Sequence, residues 1–144
     1  PRKIQEQRMS PITKKNVLIV DDSPAVLMVL SNAMKARGFE VETAKSGEAA
    51  LEILEQRSFG LILVDLLMPG IDGLEVCRRL STRPDRSTFK VVVCSGCDEL
   101  EIIQSIMAAG ADAFFVKEGS QEQFSDRLAT LFANIHPEDE PKGE

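Results

Sequence analysis

Five polar residues stand at the ends of short apolar runs, and their types suit phosphoryl chemistry. Asp21 and Asp22 follow "NVLIV", Asp65 closes "LILVD", Ser95 follows "VVVC" and Lys117 follows "AFFV". An acid within a greasy run such as "LILVDLLMPGIDG" is costly to desolvate unless it is paired or stands where the run ends. Three carboxylates brought together repel, and each raises the others' pKa unless a cation is present. Hard oxygen ligands with one or two carboxylates describe a Mg2+ site of the kind used with phosphate groups. Lys117 would add a second positive charge, and the Ser95 hydroxyl can donate to a phosphoryl oxygen. An aspartate attacking phosphorus gives an acyl phosphate, so Asp65 is expected to be the phosphoacceptor, rigidly held and charge-compensated.

These residues are far apart in sequence, so the elements between them must bring them together. Apolar runs bounded by turn residues predict buried parallel strands over Val17–Val20, Glu40–Ala44, Leu61–Val64, Val91–Cys94 and Ala113–Val116. Amphipathic stretches predict helices over Ala25–Arg37, Glu48–Gln56, Gly73–Leu80, Glu99–Ala109 and Gln121–Ile135. In the last, Phe124, Leu128, Leu131, Phe132 and Ile135 share one face at helical spacing. Strict strand–helix alternation with right-handed crossovers implies an α/β, doubly wound (βα)5 domain. Ligands of such sheets gather at the carboxyl ends of the strands beside the switch point, which is where the five polar residues fall.

The totals agree with one such domain. The chain has 144 residues, 43% hydrophobic, enough for a single core. Its net charge of −6 and pI near 4.9 argue against a nucleic-acid surface on this domain. Residues 1–15 read as a basic leader or linker, 16–135 as the folded unit, and 136–144 as an acidic tail or linker. No apolar stretch approaches the ~20 residues of a membrane span, and no signal peptide is evident, so a cytoplasmic location without membrane attachment is expected. Three cysteines, an odd number, fit a reducing compartment.

Other features admit plainer readings. Asp22 or Ser23 before Pro24 reads as an N-cap, and Ser95 alone could cap the fourth helix. Asp72 reads as a turn or cap residue, with Gly70, Gly73 and Pro69 setting the loop. "CSGC", Cys94 to Cys97, could be a redox pair, but it lacks a thioredoxin-like context. Zinc would need His136 beside Cys77, Cys94 and Cys97.

In order and spacing, "VLIVDDSP", "LILVDLLMPGIDGLEV", "VVVCSG" and "AGADAFFVK" resemble the receiver domain of bacterial two-component response regulators, over roughly Asn16–Ile135. The resemblance implies a CheY-like, flavodoxin-like three-layer sandwich with strand order 2-1-3-4-5. It implies phosphoryl transfer to Asp65 from a histidine kinase or histidine phosphotransfer protein, with the domain assisting its own phosphorylation and dephosphorylation. Mg2+ would be held by Asp22, Asp65 and the Leu67 main-chain carbonyl, and by Asp21 largely through water. Ser95 and Phe114 would be the switch pair, biasing the face of the fourth helix, fifth strand and fifth helix toward a downstream effector. Three positions depart from the family. Glu118 replaces the usual proline, so a cis peptide is not expected there; Phe114 lacks the frequent tyrosine hydroxyl; and Leu67 cannot orient an attacking water, which implies slow self-dephosphorylation. A receiver-like scaffold independent of phosphorylation is the alternative. Phosphatases of the haloacid-dehalogenase type would want a second Asp at position 67, and a flavodoxin site would be repelled by "DDSP". No effector region follows Ile135; the basic leader and the start at Pro1 favour a piece of a larger regulator over a single-domain one, and a homodimer stays open.

Overall fold

The computed structural model describes residues 14–134, with side chains described up to residue 130. Five strands, β1 (Asn16–Val20), β2 (Glu40–Ala44), β3 (Leu61–Asp65), β4 (Lys90–Ser95) and β5 (Ala113–Val116), form one parallel sheet in the order β2-β1-β3-β4-β5. Between and after them run α1 (Pro24–Ala36), α2 (Gly47–Gln56), α3 (Gly73–Ser81), α4 (Leu100–Ala108) and α5 (Gln121–Asn134). This is the expected doubly wound architecture, with element ends shifted by a residue or two. A short 3-10 turn at Arg86–Thr88 was not anticipated.

The central strands are apolar throughout because both faces of the sheet are covered. Alternate residues divide between two cores. Leu18, Val20, Ile62, Val64, Val91 and Val93 pack beneath α2, α3 and α4. Val17, Ile19, Leu61, Leu63, Val92 and Cys94 pack beneath α1 and α5. On α5, Phe124 and Leu128 enter this second core as expected; the side chains of Leu131 and Phe132, and all of Ile135, lie outside the described residues. So do His136, the acidic tail and residues 1–13 of the basic leader.

Helix starts are fixed by side-chain caps that satisfy orphan N–H groups. Ser23, not Asp22, caps α1, accepting from Val26 N with Pro24 in the first turn. Asp72 caps α3 through Glu75 N, as its reading as a cap implies, and Ser46 caps α2 through Ala49 N. Ser120 and Gln123 form a reciprocal capping box at α5: Gln123 N donates to Ser120 Oγ, and Ser120 N donates to Gln123 Oε1.

Candidate functional site

Side-chain alternation with period two decides which residues meet at the carboxyl edge. In the parallel register Val20 is paired with Val64, so Asp21 and Asp65 are level, one residue further along. Both fall on the face whose preceding residues, Ile19 and Leu63, enter the α1/α5 core. Lys117, one residue beyond β5, follows the same alternation. The result is a compact charge cluster: Lys117 Nζ donates to Asp65 Oδ1 at 2.6 Å and to Asp21 Oδ2 at 3.3 Å. Asp21 is buried, and the side chains of Asp65 and Lys117 are 12% and 26% exposed. Asp22 is exposed, yet the carboxylates of Asp21, Asp22 and Asp65 each place an oxygen within 4.8 Å of the others.

Burial pushes the Asp65 carboxyl above its ordinary range; the hydrogen bond and charge of Lys117 oppose this, and Asp21 and Asp22 add to it. Burial pulls the other way on Lys117, but its bond and attraction to Asp65 outweigh it, so the ammonium is held above its usual range. Three acids facing one lysine leave a net negative site of oxygen donors. That donor set fits a hard divalent cation such as Mg2+.

The loop after Asp65 is shaped by several backbone requirements. Leu66 N donates to Cys94 O and Gly73 N to Leu66 O, both at 2.9 Å. Gly70 has φ of +76°, in the left-handed region. At Gly73 an added Cβ would lie 2.4 Å from Asp65 O, so the start of α3 sits directly against the phosphoacceptor candidate's own carbonyl. Glu48 of α2 braces the loop by accepting from Ile71 N. Leu67 is 75% exposed, an apolar side chain at the rim with no group to hold a water.

Ser95 lies at the end of β4, buried, opposite Val116 in register. Its hydroxyl does not cap α4, where Glu99 occupies the N-cap position; it donates to Cys97 O at 2.8 Å and accepts from Cys97 N at 3.0 Å. Phe114 shares the Ser95 face of the sheet, paired with Val93, and is packed inside at 1% exposure. No peptide bond is cis among the described residues, which agrees with Glu118 in place of a proline.

The zinc reading is overturned by where the cysteines fall. Cys77 and Cys94 belong to cores on opposite faces of the sheet, so they cannot share one zinc ion. Burial pushes the Cys77 thiol up to about 12, and no disulfide joins Cys77, Cys94 or Cys97. Two supporting residues were not singled out from the sequence: Glu48, and Arg127, whose guanidinium donates to Val116 O and Glu118 O on either side of Lys117.

Comparison with known proteins converges on one family. Residues 17–129 match the response regulator receiver domain model. The chain is 30% identical over 122 residues to the phosphate regulon transcriptional regulatory protein PhoB of Rhizobium meliloti, covering 85% of this chain and 54% of that protein. It is 37% identical over 109 residues to the gliding motility regulatory protein of Myxococcus xanthus, covering 75% of this chain and 14% of that protein. The chain thus spans about half the length, or less, of the curated relatives it matches. Among solved structures, the chemotaxis response regulator CheY4 of Vibrio cholerae superposes with a TM-score of 0.73 at 28% identity, covering 83% of this chain and 99% of that one.

Proposed function

Because this chain belongs to the response regulator receiver family of two-component signalling, we propose that Asp65 is its phosphoacceptor, in a Mg2+-dependent transfer from a histidine kinase or histidine phosphotransfer protein. The observation that carries this is the 2.6 Å contact of Lys117 with Asp65 inside a cluster of three carboxylates. Asp21, Asp22, Asp65 and the Leu67 carbonyl would hold Mg2+, which supplies charge neutralisation at the transferring phosphoryl group. No helix among the described residues is long and apolar enough to cross a membrane.

The chain's own residues have separable tasks. The rigid end of β3 presents an Asp65 carboxylate oxygen to phosphorus. As the new O–P bond forms, the P–N bond to the donor's phosphohistidine breaks and the imidazole nitrogen keeps the electron pair. Lys117 offsets charge on the carboxylate and then on the phosphoryl oxygens. Ser95 is available to exchange its bond to Cys97 O for one to a phosphoryl oxygen. Phe114, on the same face, links that movement to α4, β5 and α5, where an effector domain or protein would read the state. In this reading residues 16–135 are the receiver unit, 1–15 a basic leader or linker and 136–144 an acidic tail or linker. A scaffold role independent of phosphorylation has no observation of its own.

Incubation with acetyl phosphate tests the proposal by intact mass. One phosphoryl group is expected with Mg2+, and none with chelator or in Asp65→Asn. An unmodified wild-type protein, or equal modification of Asp65→Asn, would overturn it.

A further inference from the structure

We propose that Arg127, on the second turn of α5, is a positioning residue that sets Lys117 at the rim of the site; the idea deepens the phosphoacceptor reading and rests on it. Lys117 sits just past the end of β5, an edge strand that the sheet holds on one side only, through β4. On one side its N–H donates to Ser95 O at 2.8 Å. On the other side, Arg127 Nη2 donates to Val116 O and Nη1 to Glu118 O, each at 3.1 Å. The two carbonyls bracket Lys117, so its backbone is gripped from β4 and from α5 at once.

The guanidinium is itself held in place. Its central carbon lies 5.0 Å from the centroid of the Phe115 ring, a cation–π contact, and Phe115 packs on Phe124 of the same helix at 5.8 Å. Only a planar fork can serve two carbonyls while stacking on a ring, so lysine is a poor substitute. Beyond Glu118 the chain turns at Gly119, with φ of +82°, into the Ser120–Gln123 capping box. Arg127 therefore ties the cation that touches Asp65 and Asp21 to the body of α5, and movement of that helix would move Lys117.

The test uses the full chain without metal. Lys117 is shielded from acylating reagents by its two carboxylate partners, so brief acetic anhydride labelling read by peptide mass reports its engagement, with exposed Lys45 as internal reference. In Arg127→Met the Lys117 to Lys45 labelling ratio is expected to rise roughly five- to tenfold, the equivalent of one ordinary hydrogen bond. Phosphorylation by acetyl phosphate with Mg2+ should slow about as much, with no further loss when Arg127→Met is added to Lys117→Met. An unchanged labelling ratio in a folded Arg127→Met protein, or an equal further loss in the Lys117→Met background, would overturn the inference. Arg127→Lys, which keeps the charge and can satisfy one carbonyl, should give an intermediate ratio and decides the matter if Arg127→Met fails to fold. A wild-type protein that takes no phosphoryl group sinks the phosphoacceptor reading, whereas the labelling ratio still decides the role of Arg127.

Discussion

Replacing Lys117 with Met should make the stability of the metal-free protein depend on pH in a way that exposes the charge balance of the site. The substitution keeps an apolar stem of similar length but removes the 2.6 Å bond to Asp65 and the 3.3 Å bond to Asp21. Hydrogen bonds involving a charged group contribute about 1.5–3 kcal/mol each, and the Asp65 side chain is too buried for water to replace the loss fully. A destabilisation of about 2–3 kcal/mol is therefore expected at neutral pH. The sign of the pH dependence follows from Asp65, whose folded pKa already lies above 3.8 because burial outweighs the help of Lys117. Losing Lys117 raises it further. A carboxyl raised on folding contributes its stability below the unfolded pKa and loses it as pH rises through the folded one. Wild type stops losing stability from this group above its own folded midpoint, while Lys117→Met continues to lose it up to a higher midpoint. The gap between the two should thus be small near pH 4, widen between the two midpoints and stay constant above. Urea unfolding from pH 4 to 8, with and without Mg2+, measures this, and Mg2+ should narrow the gap at neutral pH. A gap of equal size at every pH, unaffected by Mg2+, would mean that Lys117 acts through packing alone and would refute the reasoning.

Other perturbations separate the site from its scaffold. Leu67→Asn, which places an amide at the exposed rim position, should shorten the lifetime of the phosphorylated protein several-fold, measured by loss of the phosphoryl mass after donor removal; an unchanged lifetime removes the basis for slow self-dephosphorylation. Gly73→Ala drives a methyl against Asp65 O and Leu66 Cα, so it should cost about 1–3 kcal/mol by urea unfolding and slow phosphorylation of the remaining folded protein. Asp112→Ala, at the opposite end of the sheet, leaves Arg86 and Val91 N without their shared 2.8 Å acceptor. It should cost about 2 kcal/mol while the initial phosphorylation rate of folded protein stays at the wild-type value.

What the sequence discloses depends on how local the cause is. The run "LILVD" announces β3 because a strand covered on both faces must be apolar, and Asp65 then marks its end. β2 is faint for the converse reason: it is an edge strand, and Glu40, Glu42 and Thr43 leave it partly wet. The meeting of Asp21, Asp65 and Lys117 is legible because alternation along parallel strands fixes their face once the strand order is known. The short turn at Arg86–Thr88 was missed because its stability comes from elsewhere: Arg86 reaches Phe89 O, Gly110 O and Asp112. Glu48 and Arg127 were likewise invisible, since each acts on a backbone group that only tertiary packing brings within reach. The direction of the Ser95 hydroxyl, toward Cys97 rather than the rim, is a rotamer choice that no spacing encodes.

Phosphoryl transfer to this protein should end on Asp65. Borohydride reduction of the protein immediately after acetyl phosphate treatment converts an acyl phosphate to the alcohol, and peptide mass then locates the residue. Homoserine is expected at position 65 alone, dependent on Mg2+. Reduction at Asp21 or Asp22, or no reduced residue in a protein that has gained phosphoryl mass, would contradict it.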